Sequence, residues 1–190
     1  MINLPSYRYT HKGCRKEIDG TQIEIYTFKS NIVNQQYIVE IIQLEYDIYV
    51  IQYFLKSHRL SENRFNLLLP KEKSSNKHVF FLLNTITKIS IEIIKHNPNA
   101  SFGFMGAATT KEKNWKKNSK NINPDNTIKN TKRHRVYSLY VLRYFPPNVF
   151  SHIEYKDASC YLLKNNRKEI LTKEIIDNYL NLLISKKVNN

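Results

Sequence analysis

The side chains best suited to act on another molecule form a basic segment between residues 111 and 135. Nine lysines and arginines are opposed there by two acids, Glu112 and Asp125, so the segment carries +7 of the chain's net charge of +14. Long cationic stems reach phosphates, an arginine fork binds a phosphate bidentately, and the Trp115 ring can stack on a base. The pattern therefore predicts nucleic-acid binding. The candidate contacts are Lys111, Lys113, Trp115, Lys116, Lys117, Lys120, Lys132, Arg133 and Arg135.

The same charge allows other interpretations. A chain with a pI near 9.7 attracts polyanions, but an anionic membrane surface or an acidic protein partner would use the same field. Asparagine, lysine, isoleucine and tyrosine are abundant, which is typical of an AT-rich coding genome. The basic segment can therefore also be a solvated loop that reflects compositional drift.

A second candidate site is the sequence Gly-Ala-Ala-Thr-Thr, which follows a short apolar run at residues 101–105. Backbone amides at a strand tip that opens a helix can bind an anion, and threonine hydroxyls add donors. This predicts an anion-binding site at Gly106, Thr109 and Thr110. The P-loop spacing Gly-x-x-x-x-Gly-Lys-Ser/Thr is absent. The alternative is structural, with the glycine in a turn and a threonine as helix cap.

Two carboxylates and a lysine resemble the Pro-Asp…Glu-x-Lys pattern of metal-dependent nucleases. Asp125 follows a proline, and Glu154 and Lys156 are two residues apart. In such nucleases the carboxylates hold Mg²⁺ and the lysine positions water. The alternative is that Glu154 and Lys156 share the solvent face of a strand. Asp125 lies in a predicted loop, away from any strand edge.

His134 is a candidate acid or base for metal-free RNA cleavage, with Arg135 beside it to bind phosphate. The charges of Arg133 and Arg135 would lower the pKa of His134 and favour the neutral base. The alternative is an ordinary surface histidine in a basic segment. The six histidines and two cysteines show no zinc-binding spacing, so we expect neither a metal ion nor a cofactor.

Three helices are predicted around these residues. Apolar residues recur at three- and four-residue spacing over about 75–96, after a capping serine and before a proline. A second helix is predicted at 133–145, where Tyr137, Tyr140 and Tyr144 form a stripe towards the core. A third is predicted at 172–187.

Strand patterns account for most of the rest. Residues 21–28 alternate between polar and apolar. The long run at 37–55 predicts either two strands with a turn or bulge at 45–47 or one long strand that bends there. A strand over 149–163 is predicted to bend at 156–157. Because most strands are adjacent in sequence, the pattern predicts an α+β fold with a mostly antiparallel sheet packed against the long central helix. We assign residues 1–20 to an N-terminal arm, and 21–190 to one domain with a flexible basic loop at 109–131.

The middle of the chain resembles a family of small uncharacterised bacterial α+β proteins. In that family a helix ends before a proline, a strand with a glycine tip follows, and an Arg-x-x-x-Tyr-type helix comes next. The matching residues here are Pro98, Gly106-Ala107 and the run from Arg133 to Tyr137. The resemblance implies the α+β layout and a bacterial or phage origin. The basic loop between the glycine tip and the arginine helix departs from the family pattern.

A cytoplasmic location is expected. The N-terminus lacks a signal-peptide pattern, and no run approaches the roughly 20 apolar residues of a membrane span. The leading interpretation is a non-catalytic nucleic-acid-binding protein of a bacterial toxin–antitoxin or phage-defence system. A small RNase or nuclease effector is the second interpretation, and a module that binds an acidic protein partner is the third. The lack of a strong catalytic signature favours binding over catalysis.

Overall fold

A single seven-stranded sheet forms the centre of the computed structural model, which describes residues 4–67, 75–108, 112, 121–124 and 128–178. The strands are β1 (Tyr9–Lys16), β2 (Gln22–Ser30), β3 (Gln35–Leu44), β4 (Ile48–Leu55), β5 (Ser101–Met105), β6 (Phe150–Tyr155) and β7 (Cys160–Asn165). Their order is β1-β2-β3-β4-β5-β7-β6, and every pair is antiparallel except β4 and β5. The predicted α+β class with a mostly antiparallel sheet is confirmed.

Two long helices lie where the periodicity places them. Helix α1 (Asn76–His96) begins after Ser75, whose side chain accepts a hydrogen bond from the backbone nitrogen of His78. Helix α2 (Lys132–Tyr144) begins one residue earlier than predicted. Residues 173–178 are helical, as expected for the start of the third helix, and 179–187 lie outside the described residues. Within the described ranges no helix is long and apolar enough to cross a membrane.

The predicted turn at 45–47 separates β3 from β4. These three residues form one turn of 3₁₀ helix, and Tyr46 and Asp47 have φ angles of 57° and 56°. Such left-handed backbone reverses the chain tightly. The pair β6–β7 is likewise a hairpin, which replaces the single bent strand expected over 149–163.

One face of the sheet and the helices share a large hydrophobic cluster, which we call the main cluster. Val39 and Ile41 of β3 are fully buried in it. Helix α1 contributes Leu82, Leu83 and Ile89 to the same cluster. Burying a side chain of this size stabilises a fold by about 1.5–3 kcal/mol, so this contact is a principal source of stability.

The opposite face holds a smaller cluster, which we call the second cluster. Ile48 and Val50 of β4 lie there with Leu162 of β7, and Leu171 and Ile176 cover them. Alternate residues of β4 therefore serve opposite faces, as the two-residue period of a strand requires.

The sheet begins earlier than predicted, because part of the expected arm is an edge strand. Within residues 1–20, β1 pairs with β2 along its length. Before it, the backbone nitrogen of Tyr7 donates to Thr85 Oγ1 at 3.0 Å, and its ring stacks on Phe28 at 5.4 Å. The strand was missed because its residues are mostly exposed at the edge of the sheet, so they show no apolar alternation.

Candidate nucleic-acid interface

Helix α2 contains the last residues of the basic segment and carries further positive charge beyond it. Its first turn is capped by Thr131, whose hydroxyl accepts a hydrogen bond from the backbone nitrogen of His134 at 3.2 Å. The helix has four lysines and arginines and no acid. Of these, Lys132, Arg135 and Arg143 are exposed. Lys132 and Arg143 are thus available to a phosphate backbone from one rigid element, and Arg135 lies exposed beside them with its Nη1 donating to the carbonyl of Asn130 at 2.5 Å.

Arg133, the fourth cation of α2, is used inside the protein. Its guanidinium donates to the backbone carbonyl oxygens of Phe65 and Leu67, the latter at 3.1 Å. It lies near the hydroxyl pair of Tyr53 and Tyr137. Burial raises the pKa of both tyrosines, and the positive charge of Arg133 acts in the opposite direction. In this conformation Arg133, which was predicted to contact phosphate, therefore has a structural role.

Gly106 is a point of close approach between β5 and α2. A Cβ atom at this position would lie 2.5 Å from the backbone nitrogen of His134 and 2.6 Å from Thr131 Oγ1. The backbone nitrogen of Gly106 donates to the carbonyl of Ser159 at 2.8 Å, and its carbonyl accepts from Thr131 Oγ1 at 2.7 Å. This glycine thus lets the cap of α2 dock on the sheet, and its amide is already paired.

His134 and Glu154, which the sequence assigned to two different nuclease interpretations, lie close together. His134 Nε2 lies 3.7 Å from Glu154 Oε1 and 3.2 Å from the carbonyl of Cys160. Glu154 Oε2 lies 3.6 Å from Lys156 Nζ. The His134 side chain is completely buried, however, and burial is the main cause of its lowered pKa. A bound nucleic acid cannot touch this ring in the conformation described.

The part of the predicted flexible loop that the structure describes is hydrogen-bonded. Ile122 and Ile128 form an isolated antiparallel bridge, and Asn123 Nδ2 donates to the carbonyl of Asp157 at 2.8 Å. The backbone nitrogen of Asn130 donates to the carbonyl of Lys156 at 2.8 Å. These contacts join the described part to the turn between β6 and β7. Several candidate residues lie outside the described residues: the predicted nucleic-acid contacts Lys111, Lys113, Trp115, Lys116, Lys117 and Lys120, the predicted anion-binding Thr109 and Thr110, and the candidate catalytic Asp125.

Three aromatic rings near the cations were not predicted as a site. Phe80 of α1 lies 5.9 Å from the ring of Tyr140, which lies 4.7 Å from the ring of Tyr144. We call Phe80, Tyr140 and Tyr144 the ring surface. The two tyrosines pack against the main cluster, as their stripe predicts, but Phe80 is 46% exposed. The available signal was the pair Phe80-Phe81, because adjacent helical residues cannot both face one sheet.

No group of three or more histidine, cysteine, aspartate or glutamate side chains is placed to hold a metal ion within the described part of the chain. No protein-family model, curated protein or solved structure matches this chain. The interpretation of the site therefore depends on its own chemistry.

Proposed function

We propose that the protein binds nucleic acid through its basic segment and the exposed side of α2. The observation that carries the proposal is the charge of α2, which has four cations, three of them exposed, and no acid. Lysine and arginine side chains bind a phosphate backbone and release its condensed counterions. A rigid helix that presents such side chains fixes the protein on that backbone.

The charge asymmetry extends to α1, which packs in the same main cluster. Together the two helices have seven lysines and arginines and a single acid, Glu92. Glu92 is the one opposite charge on the two helices, which leaves them with a net charge of +6. A polyanion would therefore meet a positive potential over both helices, and association would be accelerated by steering.

The geometry of these side chains supports nucleic-acid binding without catalysis. The ring of His134 is fully buried, and its Nε2 contacts the carbonyl of Cys160 as well as the carboxylate of Glu154. Glu154, near the end of β6, and Lys156, in the turn that follows, form an ion pair at 3.6 Å, which occupies both side chains. The cytoplasmic location, and a role in a bacterial toxin–antitoxin or phage-defence system, are further parts of this proposal.

The test is the binding of short labelled RNA and DNA, measured by fluorescence anisotropy from about 50 to about 200 mM salt. One variant changes Lys132, Arg135 and Arg143 to serine. A matched control removes the same charge at the far edge of the sheet, through Lys12→Ser, Lys16→Ser and Lys29→Ser, all of them exposed in β1 and β2. Arg133 is left intact because its loss would disturb the fold.

We expect wild-type affinity to fall steeply with salt, the α2 variant to bind weakly, and the control to bind almost normally. Equal losses in both variants would mean that net charge alone attracts the polyanion, and the α2 interface would be rejected. Absence of binding at low salt would overturn the function and favour an acidic protein partner. The same samples, with Mg²⁺ and with EDTA, are checked for cleavage, which would restore the nuclease alternative.

A further inference from the structure

We propose that the ring surface stacks on unpaired bases, so that single-stranded nucleic acid is the preferred ligand. This inference rests on the proposed function and specifies its substrate class. Phe80 carries the argument, because it is the one exposed aromatic side chain among the described residues. An aromatic ring left in solvent costs free energy unless a partner covers it.

The three rings form a continuous aromatic path across the two helices. Phe80 meets Tyr140 edge to face, with an angle of 77° between the rings, and Tyr140 meets Tyr144 at 43°. A cavity of about 70 Å³ lies between the two helices and the sheet, and its lining includes Leu83, Tyr140 and, from the sheet, Phe102. The Tyr140 ring therefore borders space that side chains do not fill.

Cations flank the path at both ends. Arg143 Cζ lies 5.6 Å from the centre of the Tyr144 ring, and Lys77 Nζ lies 5.9 Å from the Phe81 ring, next to Phe80. Aromatic faces interleaved with lysine and arginine are the usual means of holding a single strand, since rings stack on bases while cations follow the phosphates. Charge complementarity thus selects a nucleic acid over a neutral apolar partner for this surface.

The preference for a single strand follows from the accessibility of the faces of its bases. In a duplex each base is covered on both faces by its neighbours, whereas in a single strand a base can leave the stack and lie on a protein ring. Stacking is tolerant of base identity, so we expect little sequence preference.

The experiment compares single-stranded RNA, single-stranded DNA and duplex DNA of equal length at one salt concentration. Phe80→Leu keeps the apolar side chain but removes the ring, and Phe80→Trp keeps a ring. The control is Ile170→Ala, a change in an exposed apolar residue beside Leu171 of the second cluster. Because Phe80 is half exposed, all variants should fold, which thermal unfolding verifies.

We expect single strands to bind more tightly than the duplex. Phe80→Leu should weaken single-strand binding roughly 5- to 100-fold, and Phe80→Trp should restore it. Trp115 is the sole native tryptophan. The fluorescence of the new tryptophan in Phe80→Trp is therefore measured in a protein that also carries Trp115→Phe. Single-stranded ligand should quench this fluorescence. Preferential binding of single-stranded RNA or of single-stranded DNA supports the proposal, and the two affinities show which of them is preferred.

The proposal is overturned if Phe80→Leu binds single strands as the wild type does, or if the duplex binds equally well. In that case salt-dependent binding that is lost on changing Lys132, Arg135 and Arg143 would still uphold the proposed function. If no nucleic acid binds at low salt, both proposals fail together. Weakened binding in Ile170→Ala would also count against the ring surface, because the loss would then be unspecific.

Discussion

The backbone nitrogen of His134 lies 2.5 Å from the position that a Cβ atom would take on Gly106. The first turn of α2 can therefore pack this closely against the residue that follows β5 only because Gly106 has no side chain. Thr131 Oγ1 closes the same contact by donating to the Gly106 carbonyl. The orientation of α2, and with it of its exposed cations, depends on this approach.

Gly106→Ala should destabilise the protein by about 1–3 kcal/mol, the usual cost of overpacking. The matched control is Gly103→Ala in the same strand, whose Cβ would lie 3.6 Å from Val50 Cγ2 and 3.9 Å from Leu162 Cδ1. Those are ordinary contacts, and alanine is about 0.5–1 kcal/mol better than glycine inside a strand. Urea unfolding measures both. Equal effects in the two variants would show that the approach at Gly106 is not rigid.

The buried His78 should make stability depend on pH. Its Nδ1 lies 2.8 Å from Tyr7 Oη and its Nε2 lies 2.9 Å from Tyr37 Oη, so both ring nitrogens are paired. Burial lowers the pKa of His78 in the folded state. The unfolded imidazole, with a pKa of about 6.5, then takes up a proton first as the pH falls. The stabilisation is complete above about pH 6.5 and decreases as the pH falls towards the lower folded pKa.

Urea unfolding at about pH 7.5 and about pH 5.5 tests this prediction, because the two values bracket the pKa of the unfolded imidazole. The free energy of unfolding should be lower at the acidic value, and the difference should shrink in His78→Gln. His96→Gln, at an exposed position of α1, should keep the full difference. Part of the difference between the two pH values should remain in His78→Gln, because burial also lowers the pKa of His134. An unchanged difference in His78→Gln would refute the prediction.

Local signals in the sequence were enough to predict the helices and most strands. Helix α1 has a capping Ser75 and apolar residues at helical spacing, and both features act within a few residues of the chain. The bend at Tyr46 was predicted because a run of nineteen strand-forming residues is too long for one strand. The edge strand β1 was missed because solvent on its open side removes the alternation that marks a half-buried strand.

The site could be predicted only in part, since tertiary contacts decide how each cation is used. Arg133 and Arg135 are indistinguishable by type and position in the sequence. The carbonyls that bind Arg133 belong to Phe65 and Leu67, more than sixty residues away in sequence. The residues Phe80 and Tyr140 are sixty positions apart, so the adjacent pair Phe80-Phe81 could mark Phe80 as exposed but could not identify its contact with Tyr140.

Substitution of Arg133 should reduce stability, whereas substitution of Arg135 should reduce nucleic-acid binding. Arg133→Met should cost about 1–3 kcal/mol of stability, because two partly buried carbonyl partners lose a charged donor. Arg135→Met, at an exposed position, should change stability by no more than about 0.5 kcal/mol and weaken nucleic-acid binding instead. Thermal unfolding and anisotropy on the same samples give both quantities. If Arg133→Met kept full stability while losing affinity, the structural assignment of that side chain would be wrong.

The salt dependence of binding should report how many cations of α2 touch phosphates. For each phosphate neutralised, the slope of log affinity against log salt concentration changes by about 0.7 on a single strand and about 0.9 on duplex DNA. Changing Lys132, Arg135 and Arg143 to serine should therefore make the slope shallower by about 2 to 3. Phe80→Leu should lower the affinity at every salt concentration and leave the slope unchanged, since stacking releases no counterions. A shallower slope in Phe80→Leu would mean that this substitution displaces the phosphates as well, and the separation between ring and cation contacts would not hold.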